Sequence, residues 1–408
     1  MTANDRTVLR DLARRYRELC ESETNRRRIE SWRDLNSLRP CRPLLYCGCW
    51  FAWPEVKPPA RTQSENASKA EDWFHRAFFA ASLGDDTVFQ PWFPVRAEMF
   101  HHPEGAWGVK TDLLSDKSTR GQLYRPVLRT IKDLERLKAT EHKVLDPYPP
   151  YAAEMADTFG DILPVHVNRS TVYGNWGGTD LSTAAGYLFS LEGMLYALYE
   201  QPETIHRFMA FTRDAVLANL KQGESSGDWS TVESNNCGRP AYFDDLPDPA
   251  ADSHGARLKD LCFFTHAQEF EGVSPAQHEE FLLRYQMPIM ALFGRINYGC
   301  CETLDNKRDL IATIPNLSKV LAGPLADPGL YPERFGDRCV ISWRPNPALM
   351  AGTRFDEDLQ RKQLREGLEK LKGCNVEVHL HEPLTVHNEP DRIHRWVRIA
   401  LQEAERAA

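Results

Sequence analysis

The sequence predicts an α/β fold, a single (β/α)8 barrel preceded by an N-terminal helical extension. Three observations carry this expectation. Eight short apolar runs bounded by turn residues recur along the chain, and most are followed by a helical pattern, as parallel βα units require. No G-x-G-x-x-G follows the first run and no G-x-x-x-x-G-K-[ST] loop occurs, which weakens the rival doubly wound sheet. The 408 residues suit one elaborated barrel as well as several smaller domains. The division read from the sequence is a helical extension over 1–40 and a barrel over 41–408.

The elements follow in order. Residues 7–37 read as charged helix, with Leu9, Leu12, Tyr16 and Leu19 on one face. Arg26-Arg27-Arg28 is a solvated stretch, because Glu18, Glu21, Glu23 and Glu30 surround it. Leu44–Cys47 is a buried strand, and 53–67, rich in proline, is a loop. A helix over 69–83 precedes a strand within Thr87–Val95. Residues 101–125 lack periodicity and read as a long loop. Helices over 126–138 and 148–160 lead to a strand over Ile162–Tyr173. Helices over 181–199 and 202–221 follow, then a polar stretch over 223–248. The remaining strands are Leu261–Thr265, Arg295–Tyr298, Lys319–Ala322, Cys339–Trp343 and Val376–Leu380. Helices over 275–293, 306–313, 329–335, 356–372 and 390–406 separate and follow them.

Composition narrows the function. The formal charge of −8 argues against a nucleic-acid binder. No apolar run reaches the roughly 18 residues of a membrane span, and the first residues lack the apolar core of a signal peptide. The expectation is a cytoplasmic enzyme with a small-molecule substrate. Ten cysteines are too sparse for a disulfide scaffold, and their clustering at Cys47-Gly48-Cys49 and Cys300-Cys301 points to metal or thiol chemistry.

A barrel site lies at the C-terminal ends of the strands, and thiols, imidazoles and carboxylates concentrate there. Cys300, Cys301 and Glu302 follow one strand and offer sulfur and oxygen donors suited to zinc. Adjacent strand residues face opposite ways, so both thiols reach the mouth only if the turn begins at them. His379 and His381 share a face of the last strand, and His381, nearer the mouth, joins the metal candidates beside Glu382. His266, Gln268 and Glu269 follow the strand at 261, with Glu269 the candidate acid/base. Tyr173, Trp176, Trp343, Arg344 and Asn346 are the candidates for substrate binding, while Cys47, Cys49, Trp50 and Trp53 could line the pocket.

Three stretches carry a resemblance: Glu269-Phe270-Glu271-Gly272-Val273-Ser274-Pro275, Tyr298-Gly299-Cys300-Cys301-Glu302 and Ser342-Trp343-Arg344-Pro345-Asn346-Pro347. Together they resemble the uroporphyrinogen decarboxylase superfamily, in its uroporphyrinogen decarboxylase-like branch. The likeness runs from Leu9–Leu19 to Arg392–Trp396. It implies a (β/α)8 barrel, often dimeric, and one of two chemistries: cofactor-free decarboxylation, or zinc-dependent methyl transfer involving corrinoid proteins, folates or thiols. Uroporphyrinogen decarboxylases resemble one another in an Arg-Gln-Ala-Gly-Arg stretch after the first strand. Here Cys47-Gly48-Cys49-Trp50-Phe51 stands in its place, which argues against uroporphyrinogen as substrate. The methyltransferases carry His-x-Cys at one strand end and a further late Cys; here the places read Gly299-Cys300-Cys301-Glu302 and His379-Leu380-His381-Glu382. The favoured expectation is therefore zinc-dependent methyl transfer on a small substrate, the ion held by Cys301 or Cys300 with Glu302 and His381, and with a corrinoid protein or folate as methyl carrier. The alternatives are a metal-free decarboxylase of another aromatic or heterocyclic acid and a non-catalytic corrinoid- or tetrapyrrole-binding barrel.

Overall fold

The computed structural model of the chain describes all residues except 49, 117–120, 175–179 and 235–240. Eight strands lie in parallel pairings, six in one sheet and two in another: β1 (Leu44–Cys47), β2 (Phe93–Arg96), β3 (Val165–Asn168), β4 (Cys262–Thr265), β5 (Arg295–Tyr298), β6 (Leu317–Ala322), β7 (Val340–Trp343) and β8 (Val376–Leu380). Each coincides with or lies close to one of the eight apolar runs. Six of them form one sheet in the order β1-β8-β7-β6-β5-β4, while β2 and β3 pair separately. The expected closed barrel is thus not closed by hydrogen bonds. Among the described residues no ladder joins β1 to β2 or β3 to β4.

Side chains take the place of the missing ladders. Along β1, Leu45 N donates to Asp86 Oδ2 (2.7 Å) and Cys47 N to Asp85 Oδ2 (2.9 Å). Along β4, Cys262 N donates to Ser234 Oγ (2.8 Å) and the following His266 N to Asp180 Oδ1 (3.1 Å). Buried amides need such partners, so neither edge requires a neighbouring strand.

The six-stranded sheet is strongly curled. Lys319 on β6 and Glu377 on β8 form a buried ion pair two strands apart, and Ser342 on β7 donates to Glu377 Oε1. Period-two alternation then assigns Ser342 and Arg344, and Glu377, His379 and His381, to the same concave face. Trp343 lies on the convex face, where a Cβ on Gly367 would stand 2.1 Å from its indole.

Helices wrap this body. The predicted helix over 7–37 is two helices, α1 (Ala3–Glu21) and α2 (Glu23–Asn36). They divide at Ser22, whose hydroxyl caps the second by accepting from Asn25 N. Leu9, Leu12, Ala13 and Tyr16 of α1 pack on Ala67, Ala70 and Phe74 of α3 (Glu65–Leu83) and on Phe93 of β2. From α2, Trp32 and Leu35 pack on Leu44 and Val340, at the N-terminal ends of β1 and β7. Trp32 also faces Lys319 Nζ at 5.4 Å. The extension therefore stoppers the bottom of the curled sheet.

Other elements depart from the sequence reading for local reasons. Residues 101–125 contain an antiparallel hairpin, Asp112–Asp116 with Gly121–Arg125, where a loop is expected. The helix expected over 126–138 is a 3-10 turn at Ile131–Arg136, because Thr130 and Asp133 cap it and Val127 N and Leu128 N bond to Leu188 O. The region 148–160 contributes α4 (Pro150–Phe159). The helix over 181–199 breaks at Ser190 (φ +61°) into α5 (Leu181–Phe189) and α6 (Leu191–Glu200), before α7 (Pro202–Ser225). The 275–293 helix ends at Met290 and carries a π turn at Glu279–Leu283 ahead of Pro288. The last long helices are α8 (Glu357–Lys370) and α9 (Asp391–Arg406). No helix among the described residues is long and apolar enough to cross a membrane.

Breaking one partner of a buried ion pair strands the other charge. Glu377→Ala is therefore expected to destabilise the fold by about 3–5 kcal/mol, while the volume-matched pair Lys319→Met with Glu377→Leu retains most of the stability. Urea unfolding midpoints of the two variants test this; equal losses would contradict it.

Candidate functional site

The C-terminal ends of β4, β5, β7 and β8 converge on one cluster. Gly299 ends β5 with φ +104°, a conformation that favours glycine. Its amide still bonds to Thr265 O on β4, and the chain then bends through 300–302. The turn thus begins before the two thiols, and this brings both to one side. Cys300 Sγ and Cys301 Sγ stand 3.7 Å apart. Cys300 is buried on Phe264 and Leu321, and Cys301 is half-buried. Close approach of the loop after β6 secures the bend: a Cβ on Gly323 would stand 2.6 Å from both Cys301 O and Glu302 O.

His381 arrives from β8, three strands away from β5. In a flat sheet that separation is about 14 Å. Here the ligand atoms of Cys300, Cys301 and His381 all lie within 4.8 Å of one another, which only the curl allows. Arg344, fully buried at the end of β7, points Nη1 at both sulfurs, 3.5 Å from Cys300 and 3.8 Å from Cys301. The bond to the Cys301 thiol and burial push the Cys300 thiol up to about 12, against the opposing pull of His381 and Arg344.

Glu302, expected as a ligand, is turned away from this cluster. Its Oε1 accepts from Ala267 N (2.8 Å) and its Oε2 from Cys300 N (2.7 Å), in a fully buried position. It ties the ends of β4 and β5 together and orients Cys300 through the backbone. Lys307, whose Nζ donates to Phe270 O and Glu271 O, lies on the same buried seam; burial lowers it to about 8 although Glu302 and Glu271 oppose that.

His266 is brought to the end of β4 with a partner the sequence did not flag. Its Nε2 lies 2.9 Å from Asp180 Oδ2, and both residues are buried. Burial alone would lower the imidazole, but Asp180, with smaller contributions from Glu302 and Cys300, raises it to about 10. Asp180 occupies the N-cap of α5 yet makes no capping bond there. Its other oxygen accepts from Thr265 Oγ1 and His266 N. In the sequence an Asp before a helix reads as a cap, which is why its role is invisible there.

The remaining candidates scatter. Glu269 sits on a 3-10 turn, half-buried, accepting from Ser182 Oγ of α5 at 2.7 Å, and Gln268 is exposed. Tyr173 is buried away from the thiols, its hydroxyl donating to Ala106 O and accepting from Thr140 N, its ring stacked on Trp107. Trp343, on the convex face, and Asn346, which caps the turn at Pro347–Leu349, line a different cavity of about 420 Å3 against Lys362 and Gly367 of α8. Of the five residues expected to bind substrate, Arg344 alone is brought to the cluster among the described residues; Trp176 lies outside them, as does Cys49. Trp50 and Trp53 flank Arg76, each 4.8 Å from its guanidinium carbon. Glu382, in the left-handed region at φ +47°, accepts from Phe51 N of the same loop.

No protein-family model matches the chain, and no curated protein matches it. Among solved structures, a methyltransferase from Methanosarcina mazei aligns over 92% of this chain and 98% of its own, at 10% identity and a TM-score of 0.49. The superfamily resemblance accordingly rests on its three motifs.

The Asp180–His266 pair makes stability depend on pH. His266 rises from an ordinary value of 6.5 to about 10, so its contribution is complete below about pH 6.5 and is lost as the pH climbs toward 10. Asp180→Asn is expected to remove this slope. Urea midpoints of both proteins across that range measure it; parallel curves would show that Asp180 does not charge His266.

Proposed function

We propose that the chain is a zinc-dependent methyltransferase acting on a small substrate, with Cys300, Cys301 and His381 as the ligands. The carrying observation is the donor set itself. Two thiols and an imidazole are a zinc-type combination. Two sulfurs on a tetrahedral zinc stand about 3.8 Å apart, and these stand 3.7 Å apart. Three protein ligands leave the fourth position for a substrate, the pattern of catalytic rather than structural sites. A zinc ion held there would supply Lewis acidity, keeping an acceptor thiol in its nucleophilic form.

The chain's own residues do the rest. Arg344 offsets the negative charge of two thiolates. Glu302 fixes the Cys300 backbone, and Asp180 pairs with the His266 imidazole at the neighbouring strand end and favours its charged form. Eight parallel strands with a curled wall support reading the architecture as a (β/α)8 barrel interrupted at two seams. A corrinoid protein or a folate is the proposed methyl carrier. Arg344 and the charged His266 also suit a metal-free decarboxylase, in which they would bind a carboxylate and protonate the carbanion.

Elemental analysis of anaerobically purified protein is expected to find one zinc per chain, and Cys301→Ser to lower zinc affinity at least 10-fold. Because the thiols must lose protons to bind, affinity should rise with pH. Protein without stoichiometric zinc, even after anaerobic reconstitution, would favour the decarboxylase instead, whose activity Cys301→Ser should barely change.

A further inference from the structure

We propose that Cys300 and Cys301 are also a reversible redox modification site. On this reading the pair closes to a vicinal disulfide and so withdraws two of the three zinc ligands from the site proposed above. The zinc part of the inference rests on that reading; closure of the disulfide does not.

Four features of the structure support it. The Gly299 turn directs two consecutive side chains to one side, and their sulfurs are already in contact at 3.7 Å. Cys300 is buried while Cys301 is half-buried rather than sealed, so that a small oxidant reaches Cys301 first. Cys300, beneath it, is positioned to attack the oxidised sulfur. Arg344 Nη1 lies beside both sulfurs, 3.5 Å from Cys300 and 3.8 Å from Cys301, where its N–H groups can donate to charge that develops on sulfur during the exchange. The backbone of the pair is held by the Glu302 carboxylate and by the packing of Gly323, so the thiols do not drift apart.

The chemistry balances with hydrogen peroxide as the oxidant. The Cys301 sulfur attacks one peroxide oxygen; an S–O bond forms, the O–O bond breaks, and the departing hydroxide takes the thiol proton and leaves as water. The Cys300 sulfur then attacks Cys301; the S–S bond forms, the S–O bond breaks, and a second water leaves with the second thiol proton. Two thiols are oxidised by two electrons and one peroxide is reduced to two waters. The bond is also readily reversed. Consecutive Cα atoms are about 3.8 Å apart, shorter than the roughly 4.4–6.8 Å that relaxed disulfides span. A bridge between neighbours is therefore strained, and strained disulfides are the more reducible ones.

The test uses the full-length wild-type protein, reduced and zinc-loaded, titrated with hydrogen peroxide. Peptide mapping is expected to find the Cys300–Cys301 peptide lighter by two hydrogen atoms and resistant to iodoacetamide. A chromogenic chelator should record zinc release in step with this change. Dithiothreitol should restore the thiols and zinc binding, and far-UV circular dichroism should stay unchanged throughout. Cys301→Ser should not form the modified peptide. Over-oxidation of either cysteine to sulfinic acid without the bridge, or bridging of either to another cysteine, would overturn the proposal. A bridge that forms while zinc stays bound would overturn the ligand-withdrawal part. If the bridge forms in protein that never binds zinc, the redox pair stands and the zinc reading fails; if zinc binds and peroxide yields no bridge, the reverse holds.

Discussion

A buried parallel sheet with two edge strands has amides on both sides that must find acceptors, and this constraint organises the molecule. β1 meets it with Asp85 and Asp86, and β4 meets it with Ser234 and Asp180. Side-chain oxygens reach farther and at more angles than a neighbouring strand does, so β2 and β3 can stand off as a separate pair. The cost is a set of buried carboxylates, one of which, Asp85, is raised to about 6 by burial although Thr87 and Cys47 amides oppose it.

Asp180 links this constraint to the chemistry. One carboxylate serves a strand edge through His266 N and Thr265 Oγ1 and charges the His266 ring through its second oxygen. It forgoes the capping bond at its own helix, worth about 1 kcal/mol in other proteins. Glu302 behaves similarly on the next strand: a carboxylate that looks like a ligand spends both oxygens on backbone amides and so sets where Cys300 points. In both places the acid that shapes the cluster lies beside the imidazole or thiol that it positions.

Curvature does what strand adjacency cannot. His381 and the two thiols come from strands three places apart, and their ligand atoms meet because the concave face narrows toward the C-terminal ends. The same curl lets Lys319 reach Glu377 and lets Trp32 of the N-terminal extension close the lower end. A polar column of Lys319, Glu377, Ser342, His379 and His381 therefore runs up the concave face, ion-paired at the bottom and meeting the two thiols at the top.

Much of this was legible in the residues themselves. Short apolar runs ending in Gly, Cys, His or Arg marked the strands and the end at which the chemistry collects, because a parallel strand is buried on both faces and its functional residues follow it. Period two placed His381 with His379. The antiparallel strands Asp112–Asp116 and Gly121–Arg125 leave no signal in the sequence because Asp112, Ser115 and Asp116 interrupt any alternation. What only the tertiary structure decided was which face is concave, and hence that Arg344 and not Trp343 meets the thiols. It also decided that Glu302 serves the backbone, and that Asp180 serves His266 rather than its helix. Each of these depends on the direction of curl and on hydrogen bonds between residues as much as 86 positions apart, and local spacing carries no record of either.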